Sequence, residues 1–103
     1  MAKDPAFLFY TADFYSGVAG MTMTERGQYI TLLCVQHQQG HLSERLICVT
    51  LNINSVNEIP YVMEKFKKDK DGLYFNERLD NEIQTRAKYC DSRKKGATAR
   101  WNK

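Results

Sequence analysis

The pattern with the most obvious chemistry is Cys34-x2-His37-x3-His41, which carries residue types and a spacing found in zinc sites. Zinc requires three or four thiolate, imidazole or carboxylate ligands converging on one point. Cys34 falls on an apolar helical pattern and Gly40 interrupts the chain before His41, so convergence is not expected. His37 reads more simply as a helix-end residue favoured by the dipole. Nucleophilic catalysis needs a nucleophile, a base within hydrogen-bond reach and a third group to orient that base. No residues of this sequence group that way. The acidic residues stand at helix starts or between lysines, as caps and solvated faces do, and no glycine-rich loop cradles phosphate. Neither an enzyme nor a cofactor is expected.

Polyanion binding is the chemistry the residues favour. The net charge of +3 is unevenly placed: residues 1–76 hold seven Lys/Arg and eight Asp/Glu, whereas residues 77–103 hold eight and four. Over residues 85–103 the seven cations Arg86, Lys88, Arg93, Lys94, Lys95, Arg100 and Lys103 face only Asp91. Within that run Arg93, Lys94, Lys95, Arg100 and Lys103 can each neutralise a phosphate, and Trp101 can stack on an unpaired base. A second basic cluster, Lys67, Lys68 and Lys70, is interleaved with Asp69 and Asp71. Together these residues point to DNA, double- or single-stranded, bound with strong salt dependence and weak sequence preference.

The elements that position these residues follow from length and pattern. A chain of 103 residues with 43% hydrophobic and 26% charged residues builds one self-folding domain and excludes a multidomain enzyme. Three cysteines, Cys34, Cys48 and Cys90, lie in apolar patterns and read as buried free thiols. No apolar run approaches the roughly 20 residues of a membrane span, and the opening residues lack a secretory hydrophobic stretch, so a cytoplasmic location is expected.

Phe7, Phe9, Tyr10, Phe14 and Tyr15 form an aromatic arm expected to pack on the body, with 7–10 extended and a short helix over 13–19. Thr24 is the expected start of the strongest helix, stopped at Gly40, with Ile30, Leu33, Cys34 and His37 on one stripe that Tyr29 and Leu32 widen. Ser43 caps a second helix through Leu46, Ile47 and Leu51, and Asn52-Ile53-Asn54 makes a turn. Ser55 and Glu58 have capping-box spacing before a third helix holding Ile59, Val62, Met63 and Phe66, with Pro60 near its start. That helix offers Asn54, Ser55, Asn57, Glu58, Glu64 and Lys65 to a DNA groove, a set with no arginine for guanine. Asp71-Gly72 between short apolar runs marks a hairpin. Asn76 then caps a last helix with Leu79, Ile83, Ala87 and Cys90 on one face; it either stops near Lys95 or continues past Gly96 to Trp101.

Several stretches in this order resemble the YdaU-like proteins of phages and prophages. Lys3-Asp4-Pro5-Ala6-Phe7 with Phe9-Tyr10 is similar to that family's opening, and Asp13-Phe14 to its Asp-aromatic pair. Met23-Thr24-Glu25-Arg26-Gly27-Gln28-Tyr29 with Leu32-Leu33 resembles its helix entry. Phe66 with Asp71-Gly72-Leu73-Tyr74-Phe75-Asn76-Glu77-Arg78-Leu79 and Glu82 resembles its wing and last helix, and Ser92 with Lys95-Gly96-Ala97-Thr98-Ala99-Arg100-Trp101 its closing signature. The Asn-rich stretch 51–59 before Pro60 departs from it and weighs against base reading by the third helix. The resemblance implies a non-enzymatic, DNA-associated domain at the N-terminus of replication initiators or replisome organisers.

The expected fold is therefore α+β and mainly helical, winged-helix-like, with three short helices, a β-hairpin wing and a long C-terminal helix. Residues 1–95 make the domain with its aromatic arm, and 96–103 a basic tail. The expected function is DNA binding in phage-type replication initiation, through Arg93, Lys94, Lys95, Arg100, Trp101 and Lys103 and secondarily through Lys67 and Lys68 of the wing. The alternative is an oligomerisation or adaptor module that forms homo-oligomers or recruits a helicase loader or another replication protein.

Overall fold

A capping box on Thr22 fixes where the longest of the described helices begins. The Thr22 hydroxyl accepts from the Glu25 N–H at 3.2 Å while the Glu25 carboxylate accepts from the Thr22 N–H at 2.7 Å, so two otherwise orphaned donors are satisfied. The protein is seen in a computed structural model that describes residues 6 and 9–88. Along that chain run α1 (Thr11–Gly17), α2 (Met23–Gln39), α3 (Glu44–Leu51), a 3-10 turn (Val56–Glu58), α4 (Pro60–Met63), β1 (Lys67–Lys68), β2 (Tyr74–Phe75) and α5, helical over residues 77–88. The described protein is mainly helical with one small antiparallel hairpin. None of its described helices is long and apolar enough to cross a membrane.

α2 is the central element. Leu32, Leu33, Gln36 and His37 are buried and Tyr29 is half-buried, so the inward face runs through 29, 32, 33 and 36 at helical spacing. Against it pack Leu42, Ile47 of α3, Val56, Ile59, Val62 of α4, Phe66 and Leu79 of α5, which form one apolar core. A ring ladder extends the core to the N-terminal side. Phe9 meets Phe14 at 4.9 Å, Phe14 stacks on Tyr29 at 5.7 Å, and Tyr29 meets Phe66 edge-on at 6.1 Å. The arm thus packs only in part: Phe9 and Phe14 join the ladder, Phe9 and Tyr10 remain exposed, and Tyr15, 74% exposed, points to solvent rather than packing on the body as expected. Phe7 and Leu8 lie outside the described residues.

The hairpin pairs Lys67 with Phe75 and Lys68 with Tyr74. Its loop is not a two-residue Asp-Gly turn: Asp69 N–H donates to the Leu73 carbonyl and Gly72 N–H to the Asp69 carbonyl, leaving a three-residue tip at 70–72. Gly72 has φ +82°, the left-handed value that such a tip demands of its last residue. Leu42, in the α2–α3 connection, exchanges two 2.7 Å backbone hydrogen bonds with Tyr74 and so lies against the outer side of β2.

Five expectations need correction. α1 spans Thr11–Gly17 rather than 13–19, closing at Gly17, a poor helix former. α2 starts at Met23 behind Thr22, not at Thr24, because only Thr22 stands three residues before Glu25. Cys34 is exposed rather than buried, since the inward stripe is centred on Leu32, Leu33 and Gln36; Cys48 is half-buried, and Cys90 lies outside the described residues. The single third helix is split: Ser55 and Glu58 do form a capping box, but on the 3-10 turn, and Ile59 at φ −127° and ψ 58° leaves the helical region before Pro60. Ala87 is exposed, so the inward stripe of α5 fades after Leu79 and half-buried Ile83. The hairpin, the Ser43 cap, the Asn52 turn with φ 56° and the Asn76 cap occur where expected.

Two buried amides hold the hairpin and α5 to this core. Gln36, 1% exposed, accepts from the Asn76 N–H at 2.7 Å and donates to the Asn76 carbonyl at 3.1 Å. The Asn76 side chain donates to the Lys65 carbonyl at 2.9 Å and accepts from the Leu79 N–H at 3.0 Å. Replacing Gln36 by Leu strands the buried Asn76 N–H without a partner. The expected loss is about 2–3 kcal/mol of stability, read by urea unfolding at constant m-value, and a loss below about 0.5 kcal/mol contradicts the role assigned to this pair.

Candidate nucleic-acid interface

Of the two lysine- and arginine-rich segments expected to meet DNA, the structure describes the hairpin in full. Lys67 and Lys68 are both exposed on its two-residue first strand, and Lys70 is exposed on its tip. Each of the two strand lysines is positioned by a neighbour. Lys67 Nζ forms an ion pair with the Glu77 carboxylate at the start of α5, and Lys68 Nζ lies over the Tyr74 ring, 5.2 Å from its centroid. Both Lys67 and Glu77 are more than half exposed, so the pair is easily exchanged for another anion. Lys65 is half-buried beside α1.

The tip is held rigidly for its size. Asp69 Oδ1 accepts from the Asp71 N–H at 2.8 Å and the Leu73 N–H at 3.0 Å, while its Oδ2 faces His41 Nδ1 at 2.7 Å. The other nitrogen of His41 faces Asp80 Oδ1 at 3.0 Å. The hydrogen bond from His41 and those from the backbone hold the Asp69 carboxyl below its ordinary range, and the bonds to Asp69 and Asp80 hold the His41 imidazole above its own despite partial desolvation. Hence the acidic residues interleaved with the hairpin lysines are not equivalent: Asp69 is spent on the loop and on His41, and Asp71 faces solvent.

The set that a third helix was expected to offer to a groove is largely consumed. Glu58 accepts from the backbone N–H of Asn54 and of Ser55, and the Ser55 hydroxyl accepts from the Asn57 N–H. Asn57 and Glu64 remain exposed on two short turns, and Tyr61, 58% exposed, is the largest side chain there. Elsewhere, Arg78 pairs with Asp13 and lies over the Tyr10 ring, and the Tyr10 hydroxyl donates to Glu82 at 3.1 Å. The accepting Glu82 raises the Tyr10 pKa, while burial raises that of Tyr29. These polar groups satisfy one another around a small cavity of about 80 Å³ between the arm, α2 and α5.

Charge in the described protein is nearly balanced: residues 9–88 hold nine Lys/Arg and ten Asp/Glu, and residues 89–103 hold five against one. Arg93, Lys94, Lys95, Arg100, Trp101 and Lys103 lie outside the described residues. Compared with known proteins, the chain matches no family model, no curated protein and no solved structure.

Two interactions escaped the sequence reading. His41 carried no signal of its carboxylate partners, which come from 28 and 39 residues away. Gln36 did carry one, a polar residue seven positions after Tyr29 on the same stripe. Cys34, His37 and His41 do not converge: Cys34 is exposed on the outer side of α2, His37 is buried, and both nitrogens of His41 face carboxylates. Among the described residues no group of three or more His, Cys, Asp or Glu is arranged to hold a metal ion. The exposure of Cys34 is directly measurable. Cys34→Ser is expected to lower by one the number of thiols modified rapidly under native conditions, with Cys48→Ser leaving that number unchanged; the reverse assignment contradicts the burial described.

Proposed function

We propose that this chain is a winged-helix-like DNA-binding domain acting in phage-type replication initiation. The observation that carries the proposal is the segregation of charge. A near-neutral body, with nine basic and ten acidic residues over 9–88, exposes Lys67, Lys68 and Lys70 on its hairpin and leads through α5 into fifteen residues with five cations and one anion. The order α1, α2, α3, two short helical turns, hairpin, α5 supports the winged-helix reading, with β1 and β2 as the wing and α5 following it through the single residue Asn76. The sequence resemblance to the YdaU-like phage and prophage proteins supports the placement in replication.

The mechanism is phosphate neutralisation with positioning by the fold. Phosphate takes the place of Glu77 beside Lys67, joins Lys68 on its Tyr74 platform, and meets Arg93, Lys94, Lys95, Arg100 and Lys103, while Trp101 stacks on an unpaired base. Little sequence discrimination is expected, because the third-helix position is two short turns whose Ser55 and Glu58 cap backbone rather than read bases.

Fluorescence anisotropy of labelled double- and single-stranded DNA over a salt series tests this reading. Affinity is expected to fall steeply with salt, by roughly 0.9 in log–log slope per duplex phosphate neutralised. Alanine at Arg93, Lys94, Lys95 and Arg100, or truncation after Tyr89, is expected to weaken binding to all sequences and flatten that slope, with a smaller effect from Lys67→Ala with Lys68→Ala. Absence of binding by the full chain at low salt, together with a mass that rises with protein concentration, overturns the proposal in favour of an oligomerisation or adaptor module.

A further inference from the structure

His41 sits where three elements meet. It lies between Gly40, which closes α2, and Leu42, whose backbone is paired with Tyr74 by two 2.7 Å hydrogen bonds. Its ring stacks on Phe75 with centroids 4.5 Å apart and planes within 10°. From that position Nδ1 faces Asp69 Oδ2 at 2.7 Å on the hairpin loop, and Nε2 faces Asp80 Oδ1 at 3.0 Å in the first turn of α5. The charged groups acting on the ring are these two carboxylates, Asp69 from the hairpin and Asp80 from α5; the residues packed beside it from β2 and its own connection, Phe75 and Leu42, are apolar. All three polar side chains are less than a third exposed.

A neutral imidazole has one N–H and one lone pair, so it can donate on one side only. With a carboxylate oxygen opposite each nitrogen, both links require the doubly protonated ring. Loss of the proton turns a lone pair toward a carboxylate, and one link must open. The Asp69 link is the shorter, and Asp69 is fixed independently by the Asp71 and Leu73 N–H groups. Among the described residues, the other oxygen of Asp80 accepts a 3.4 Å bond from the Gln84 side chain, within the same helix.

We propose that His41 is a proton-operated clasp: protonated, it ties the hairpin loop to the first turn of α5, and deprotonated, it keeps the hairpin and releases α5 on that side. The sign follows from the direction of the two shifts. The hydrogen bond to Asp69, then that to Asp80, raises the folded His41 pKa above 6.5, so the clasp's contribution to stability is complete below that value and is lost as pH rises through the folded pKa. The His41 bond, first, and the backbone bonds lower the folded Asp69 pKa below 3.8, so the part of that contribution carried by the Asp69 link is lost as pH falls through that lowered value. The clasp concerns the fold alone and stands apart from the DNA reading.

Nuclear magnetic resonance titration of the full chain tests the clasp. The His41 ring is expected to titrate above pH 6.5, and the backbone amides of residues 69–73 and 77–80 to shift with the same midpoint. Asp80→Asn is expected to lower the His41 midpoint, and His41→Gln to abolish the coincident step at those amides. A His41 midpoint at or below 6.5, an unchanged midpoint in Asp80→Asn, or amides that titrate the same way in His41→Gln overturns the proposal. Because Asp80→Asn alters only the α5 link, it gives the answer even if His41→Gln does not fold.

Discussion

A glutamine in the middle of the apolar face of α2 is the constraint on which the hairpin and the last helix depend. Gln36 is among the most completely buried side chains described, and a buried amide is tolerated only when its donor and acceptor are both satisfied. Here both are satisfied by one residue's main chain, the N–H and carbonyl of Asn76. The register is fixed by the Asn76 side chain: a slip of one residue at the β2–α5 junction would leave the Lys65 carbonyl and the Leu79 N–H without that amide. Asn76 in turn reaches the Lys65 carbonyl just before β1 and caps α5 through Leu79. The two ends of the hairpin and the start of α5 are thus clamped at one point against the core.

From that clamp the surface chemistry follows. The hairpin projects as a short rigid arm, its tip closed by Asp69 and Gly72 and its flank braced by the Leu42 pairing. Lys67 and Lys68 are consequently exposed on a strand held at both the tip and the base of the hairpin. His41 adds a second brace on the opposite side of the same junction. Gln36 and His41 differ in kind: the amide pair carries no charge and holds at any pH, whereas the imidazole holds both its carboxylates only while it is protonated.

The short-range features were legible because they are local. Ser43, Asn52, Gly40, Gly72 and Asn76 each solve a backbone problem within three or four residues of themselves, and residue type reports that solution directly. The errors have the same origin. Thr24 and Thr22 are both acceptable caps, and only the reciprocal bond with Glu25 selects Thr22. A single helix behind the Ser55 cap satisfies the apolar spacing of Ile59, Val62 and Phe66, but the backbone preference of the residue before Pro60 divides it. Cys34 is apolar enough for a core position, and its exposure is set by which neighbouring stripe the rest of the fold covers.

By itself, then, the sequence determined the order of elements, most of their ends, the hairpin and the concentration of positive charge after residue 85. These depend on residue types and on spacings of a few positions. Tertiary structure alone decided the Gln36–Asn76 pair, the His41–Asp69–Asp80 clasp, the ion pair that occupies Lys67 and the outward face of Cys34. Apart from the outward face of Cys34, each of these joins residues ten to forty positions apart. Their meeting depends on the packing of whole elements, and hydrogen-bonding partners at that separation leave no periodicity for the sequence to display.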